Sequence, residues 1–149
     1  MKGLFFSEFV EMVENLFSPE LADAIIEEST LPSGGVYTAG GNYDYKELLQ
    51  LVDKLNEKTG IPWEKLMHDF GDHLFERLSL NYPEFLEGST TAFDFLCKIE
   101  DHIHTEIRKI YPDSEMATFD TCQPDRHSLV MTYTSVSYTH LTLPTIYSV

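Results

Sequence analysis

The chain has 149 residues, enough for one domain with a core and too few for two. Apolar residues make up 42% and aromatic residues 13%, which excludes a disordered polymer. With 25 acidic against 10 basic side chains and a formal charge of −15, the surface repels nucleic acid and anionic membrane, so neither is an expected partner.

Residues 1–17, "MKGLFFSEFVEMVENLF", hold too short an apolar run for an export signal, and Glu8 and Glu11 interrupt it. The expected location is therefore cytoplasmic, with Cys97 and Cys122 as separate reduced thiols. The same stretch predicts an amphipathic helix over 4–17, with Phe5, Phe9, Met12 and Leu16 on one face. "SPEL" restarts a helix, with Ser18 as N-cap and Pro19 in the first helical position. "LPSGGVYTAGGNYDY" is a loop, and no Gly-Lys-Ser/Thr follows to make it a phosphate cradle.

A helix is expected over 45–59, with Leu48, Val52 and Leu55 inward and Gly60 as the stop. Pro62 opens another to about residue 82, carrying Gly71 in its interior. The longest expected helix spans 92–111, with Leu96, Ile99, Ile103, Ile107 and Ile110 as its apolar stripe and Pro112 beyond its end. "MATFDTC" and "HSLVMTYTS" then have the character of short strands. The predicted fold class is α+β: an N-terminal helical part, then the start of an antiparallel sheet whose region is incomplete.

Six histidines are the candidates for chemistry. His102 and His104 stand about 200° apart on a helix and cannot grip one ion. His68 and Asp72 share a face but read as a solvated pair. No Ser/His/Asp order, nucleophile elbow or HExxH is present, so an enzyme is not expected. His104 lies beside the apolar stripe, where a histidine is usually bonded to a carbonyl. One histidine could also be the sole protein ligand of a haem, because the macrocycle supplies the other four nitrogens.

"IEDHIHTEIRKIYPDSE" resembles the proximal-helix signature of the bacterial haem nitric oxide/oxygen-binding (H-NOX) family. Three further segments resemble that family in the same order: "MKGLFFSEFVEMVE", "LPSGGVYTAGGNYDYKEL" and "LNEKTGIPWEKLMHDFGDHLFERL". The resemblance implies haem b (iron protoporphyrin IX) held between the helical part and the sheet part, with His104 as the metal ligand. It implies that Tyr133 and Ser135 are the first two members of a Tyr-x-Ser-x-Arg clamp on the haem carboxylates. The third position is Ser137, which lacks the guanidinium fork. Phe5, Phe9 and Leu74 match positions lining the gas pocket and offer no hydrogen bond. Met116 and Ala117 replace a Leu-Pro pair whose Pro presses on the haem, implying a flatter macrocycle.

The implied function is a non-catalytic gas sensor for nitric oxide, with oxygen and carbon monoxide as further candidate ligands. Gas binding opposite His104 would free its helix to signal to a histidine kinase or a cyclic-di-GMP enzyme. Without the resemblance, the residues alone favour an acidic helical protein-interaction domain with no cofactor. Residues 136–149, "VSYTHLTLPTIYSV", back-translate into a transposon-end adapter of sequencing libraries. The expected native segment is therefore 1–135, a C-terminally truncated haem-binding domain.

Overall fold

In the computed structural model of the chain, helix α1 spans Gly3–Leu16, within a residue of expectation at each end. The structure describes residues 1–113, 116–134, 141–142 and 146–147, the last two pairs by backbone alone. The chain divides into two units, residues 1–81 and 82–149.

The first unit holds α1, α2 (Pro19–Glu27), α3 (Tyr45–Thr59) and α4 (Trp63–Asn81). Local chemistry sets their ends. Ser18 Oγ accepts from Leu21 N at 3.2 Å, and Asp44 Oδ1 accepts from Lys46 N at 3.0 Å. Gly60 stops α3 in the left-handed region, φ +70°, with its N–H on Asn56 O. Gly3 has a different task. A Cβ there would stand 2.0 Å from Thr38 O, because the loop before α3 lies directly on the start of α1.

The buried face of α1 differs from the expected stripe. Phe6, Phe9, Met12 and Val13 are buried, Phe5 is half-buried and Leu16 is exposed. The consecutive Leu4, Phe5 and Phe6 allow two helical registers, and the following loop selects one. Phe6 stacks on Tyr37 at 4.5 Å between centroids and meets Tyr43 edge-on at 5.6 Å. The loop itself is held by Glu47 in the first turn of α3, which is buried and accepts from Tyr37 OH at 3.0 Å and from Ser33 Oγ. Leu48, Leu51, Val52 and Leu55 of α3, with Leu66 and Phe70 of α4, complete one apolar core.

The second unit begins with a short 3-10 turn, Pro83–Leu86. The single helix expected over 92–111 is in fact three pieces. Helix α5 (Ala92–Cys97) starts at a capping box between Thr91 and Asp94. A π turn covers Ile99–Ile103, and α6 is His104–Ile110. In the wide turn Ile103 N reaches back five residues to Lys98 O (3.2 Å), and His104 N to Ile99 O. Apolar spacing cannot register an extra residue in one turn. Of the expected stripe Ile103 is buried and Ile110 is exposed, and Phe93, outside that stripe, is buried as well.

Strands β1 (Thr118–Asp125) and β2 (Ser128–Thr134) form an antiparallel pair, with Phe119 opposite Tyr133 and Thr121 opposite Met131. β2 buries Ser128, Leu129 and Met131. Two short strands, β3 (Leu141–Thr142) and β4 (Ile146–Tyr147), also pair with β2. The fold is α+β, as expected. Among the described residues no helix is long and apolar enough to cross a membrane.

Candidate functional site

His104 is the first residue of α6 and is only 7% exposed. Its Nδ1 lies 3.1 Å from Glu100 Oε2. An ionised carboxylate only accepts, so Nδ1–H donates and a neutral ring carries its lone pair on Nε2. That Nε2 has no hydrogen-bond partner among the described residues. Leaving a buried polar atom unsatisfied costs about 1–3 kcal/mol, so the geometry suits a ligand supplied from outside the chain. A metal ion fits this donor: in its neutral form the imidazole offers Nε2, and the ring is buried and fixed through its other nitrogen.

His102 is used differently. Its Nε2 is 3.2 Å from Glu84 O and it is half-buried. Of the two neighbouring histidines, one is satisfied by a backbone carbonyl and the other keeps a ring nitrogen with no partner among the described residues.

Glu100 does more than meet His104. The same Oε2 accepts from Phe119 N at 3.0 Å, and Arg108 Nη2 lies 3.7 Å from Oε1. The Phe119 ring is 5.6 Å from the His104 ring and 5.4 Å from that of Tyr133. The second unit therefore assembles His104, Glu100, Phe119 and Tyr133. Tyr133 is half-buried on β2, and its hydroxyl bonds to none of the described residues. Ala117, half-buried, immediately precedes β1. Ser135 lies outside the described residues, as does Ser137.

Sequence reasoning missed Glu100 and Phe119. Glu100 carried a signal, since it stands four residues before His104, one helical turn away. Phe119 carried none, because its place depends on strand docking.

Phe5, Phe9 and Leu74 belong to the first unit. Phe9 is fully buried and meets Phe70 edge-on at 5.3 Å. Phe5 and Leu74 pack half-buried against the same core. All three are purely apolar. Beside Phe9, buried Glu8 faces His73 Nε2 at 3.2 Å and accepts from Arg77 Nε at 3.1 Å, an ion pair that sequence reasoning did not single out. His68 and Asp72, 3.3 Å apart, are both exposed, and neighbouring Asp69 is paired with Lys65. Ligand atoms of His68, Asp69 and Asp72 lie within 4.8 Å of one another, with His68 and Asp72 exposed.

The family model for haem-NO-binding proteins matches residues 2–144. The chain belongs to this family, the H-NOX proteins, whose cofactor is haem. It is similar to the Fe(II) unliganded H-NOX protein from K. algicida, with 40% identity and a TM-score of 0.82 over 91% of this chain and 74% of that one. It is also similar to the IWP-051-bound H-NOX from Shewanella woodyi in the Fe(II)CO state, with 37% identity and a TM-score of 0.77 over 91% and 71%. No curated protein matches.

Proposed function

We propose that the chain is a haem-based gas sensor in which His104 is the protein ligand of the iron. The observation that carries the reading is the buried Nε2 of His104, unpartnered among the described residues while Nδ1 is bonded to Glu100. When bound, haem would be held through its iron by His104 and would supply a metal able to take a diatomic gas.

The chain's own residues divide the remaining work. Tyr133 offers a hydroxyl to a haem carboxylate, with Ser135 beside it in sequence. Ala117 would supply a small contact at the position where the family resemblance implies a Pro. By the family resemblance Phe5, Phe9 and Leu74 would line the gas side, and none of them offers a hydrogen-bond donor, which favours nitric oxide over oxygen and leaves carbon monoxide as a ligand. The related S. woodyi protein was solved with carbon monoxide on its iron, and an S. oneidensis H-NOX with nitric oxide. The element able to respond is α6 with the π turn that precedes it, where the helix carries an extra residue. Its output is to a separate cytoplasmic histidine kinase or cyclic-di-GMP enzyme, and the chain itself performs no catalysis.

Residues 136–149 are part of the same proposal: the adapter-like string is not native sequence. The family match runs to residue 144, so the deciding observation is the genomic DNA after the codon for Ser135.

The test is spectroscopic. The chain with its native continuation, supplied with haem, should show a Soret band that shifts with nitric oxide, and His104→Ala should lose the five-coordinate ferrous spectrum. A folded protein that stays colourless selects the alternative, an acidic interaction domain without cofactor.

A further inference from the structure

We propose that Glu100 is the positioning residue for His104, and that its carboxylate is also the tie through which α6 and the β1 edge move together. The inference rests on His104 as the iron ligand for its consequence, but its geometry stands within the chain alone.

Three observations carry it. Glu100 Oε2 accepts two hydrogen bonds, from His104 Nδ1 at 3.1 Å and from Phe119 N at 3.0 Å. One oxygen thus joins the ligand helix to the first residues of β1. Phe119 pairs with Tyr133 in register but spends its N–H on Glu100. This N–H faces away from β2, so Phe119 and Tyr133 sit at a site where the strands do not exchange bonds and side chains approach closest. Their rings are 5.4 Å apart. Finally, Glu100 lies in the π turn that immediately precedes His104, so the carboxylate rides on the irregular segment, not on a continuous helix.

Each link has a physical consequence. The bond to Nδ1 fixes the tautomer, leaves the lone pair on Nε2, and raises its basicity towards a metal. The bond to Phe119 occupies an edge-strand donor that would otherwise be unpaired. A shift of His104 along the axis of its Nε2 lone pair drags Glu100, and Glu100 cannot follow without lengthening its bond to Phe119. Displacement at His104 is thereby converted into strain at β1, opposite Tyr133. The two-state element is α6 with the π turn, and the coupling is a single shared acceptor.

The experiment compares the wild-type chain with Glu100→Gln and Glu100→Ala, without and with haem. In the haem-free chain, nitrogen-15 shifts of the His104 ring should show the Nδ1–H tautomer, and Glu100→Ala should move it towards Nε2–H. The Phe119 amide should exchange slowly with solvent in wild type and fast in Glu100→Ala. Glu100→Gln keeps a neutral acceptor for one of the two donors and should fall between. In the ferrous haem-loaded chain, the iron–histidine stretching frequency should drop in both variants, and haem should be held about 10- to 100-fold more weakly. An Nε2–H tautomer in wild type, or an unchanged stretching frequency in both variants, overturns the proposal. If Glu100→Ala fails to fold, Glu100→Gln decides by the same readings. Should haem ligation survive His104→Ala, the sensor reading fails, while the haem-free measurements still judge the Glu100 bridge.

Discussion

Glu8, buried on α1, accepts a hydrogen bond from Arg77 Nε on α4 at 3.1 Å. The two helices carrying Phe5, Phe9 and Leu74 are thus clamped by an ion pair whose anion is buried and whose cation is partly in water. The asymmetry makes a prediction. Arg77→Met leaves a buried carboxylate facing only His73 and should cost about 1–3 kcal/mol, below the full cost of breaking a fully buried pair. Glu8→Gln leaves Arg77 free to pair with Glu11, already 3.3 Å from Nη2, and should cost less. Denaturant melts of the two single variants and the double variant check this. Equal single costs, or full additivity, contradict the clamp.

Gly71 sits inside α4, exposed, and a Cβ there meets nothing within 4 Å. It marks no close approach among the described residues. Gly71→Ala should therefore stabilise by up to about 1 kcal/mol through helix propensity alone. Gly3→Ala should destabilise strongly, since its Cβ would collide with Thr38 O. Thermal melts should rise for the first variant and fall for the second.

The features legible in the sequence were those decided by a few adjacent residues. Ser18 and Gly60 define helix ends because a cap needs only its own backbone. His104 was singled out through a motif, and its burial agrees with a position beside the apolar stripe. The register of α1 was not, because Phe5 and Phe6 are equivalent until Tyr37 and Tyr43 fold over one of them. The π turn was hidden for a related reason: Ile99 and Ile103 keep an apolar spacing that either helix type satisfies. Glu100 acquires its meaning only when Phe119 docks against it, a contact 19 residues away in sequence.

Tyr37 and Asp94 bound the pH range of stability from opposite sides. Burial, with the bond to Glu47 adding to it, pushes Tyr37 up from 10.0 to about 12. The unfolded chain then loses its proton first, so Tyr37 contributes stability fully below pH 10 and loses it as pH rises towards 12. Asp94 is held down from 3.8 to about 2 by the Thr90 hydroxyl and amide and by Thr91. Its contribution is present above pH 3.8 and is lost as pH falls towards 2. Urea midpoints across pH 2–11.5 should decline at both ends. Tyr37→Phe should flatten the alkaline limb, and Asp94→Asn the acid limb.

Phe5 and Phe9 separate stability from gas access. Phe9 is fully buried against Phe70, so Phe9→Ala should cost about 3–5 kcal/mol through the cavity it leaves. Phe5 is half-buried at the edge of the same core, so Phe5→Ala should cost markedly less. If Phe5 lines the path to the iron, its removal should speed the association of carbon monoxide with the ferrous haem-loaded chain while the melting temperature moves little. Flash photolysis and a melt on the same sample give both numbers. Unchanged association in Phe5→Ala removes Phe5 from the gas side and leaves it as a core-edge residue. Faster association without loss of stability assigns it a role that packing against the core does not require.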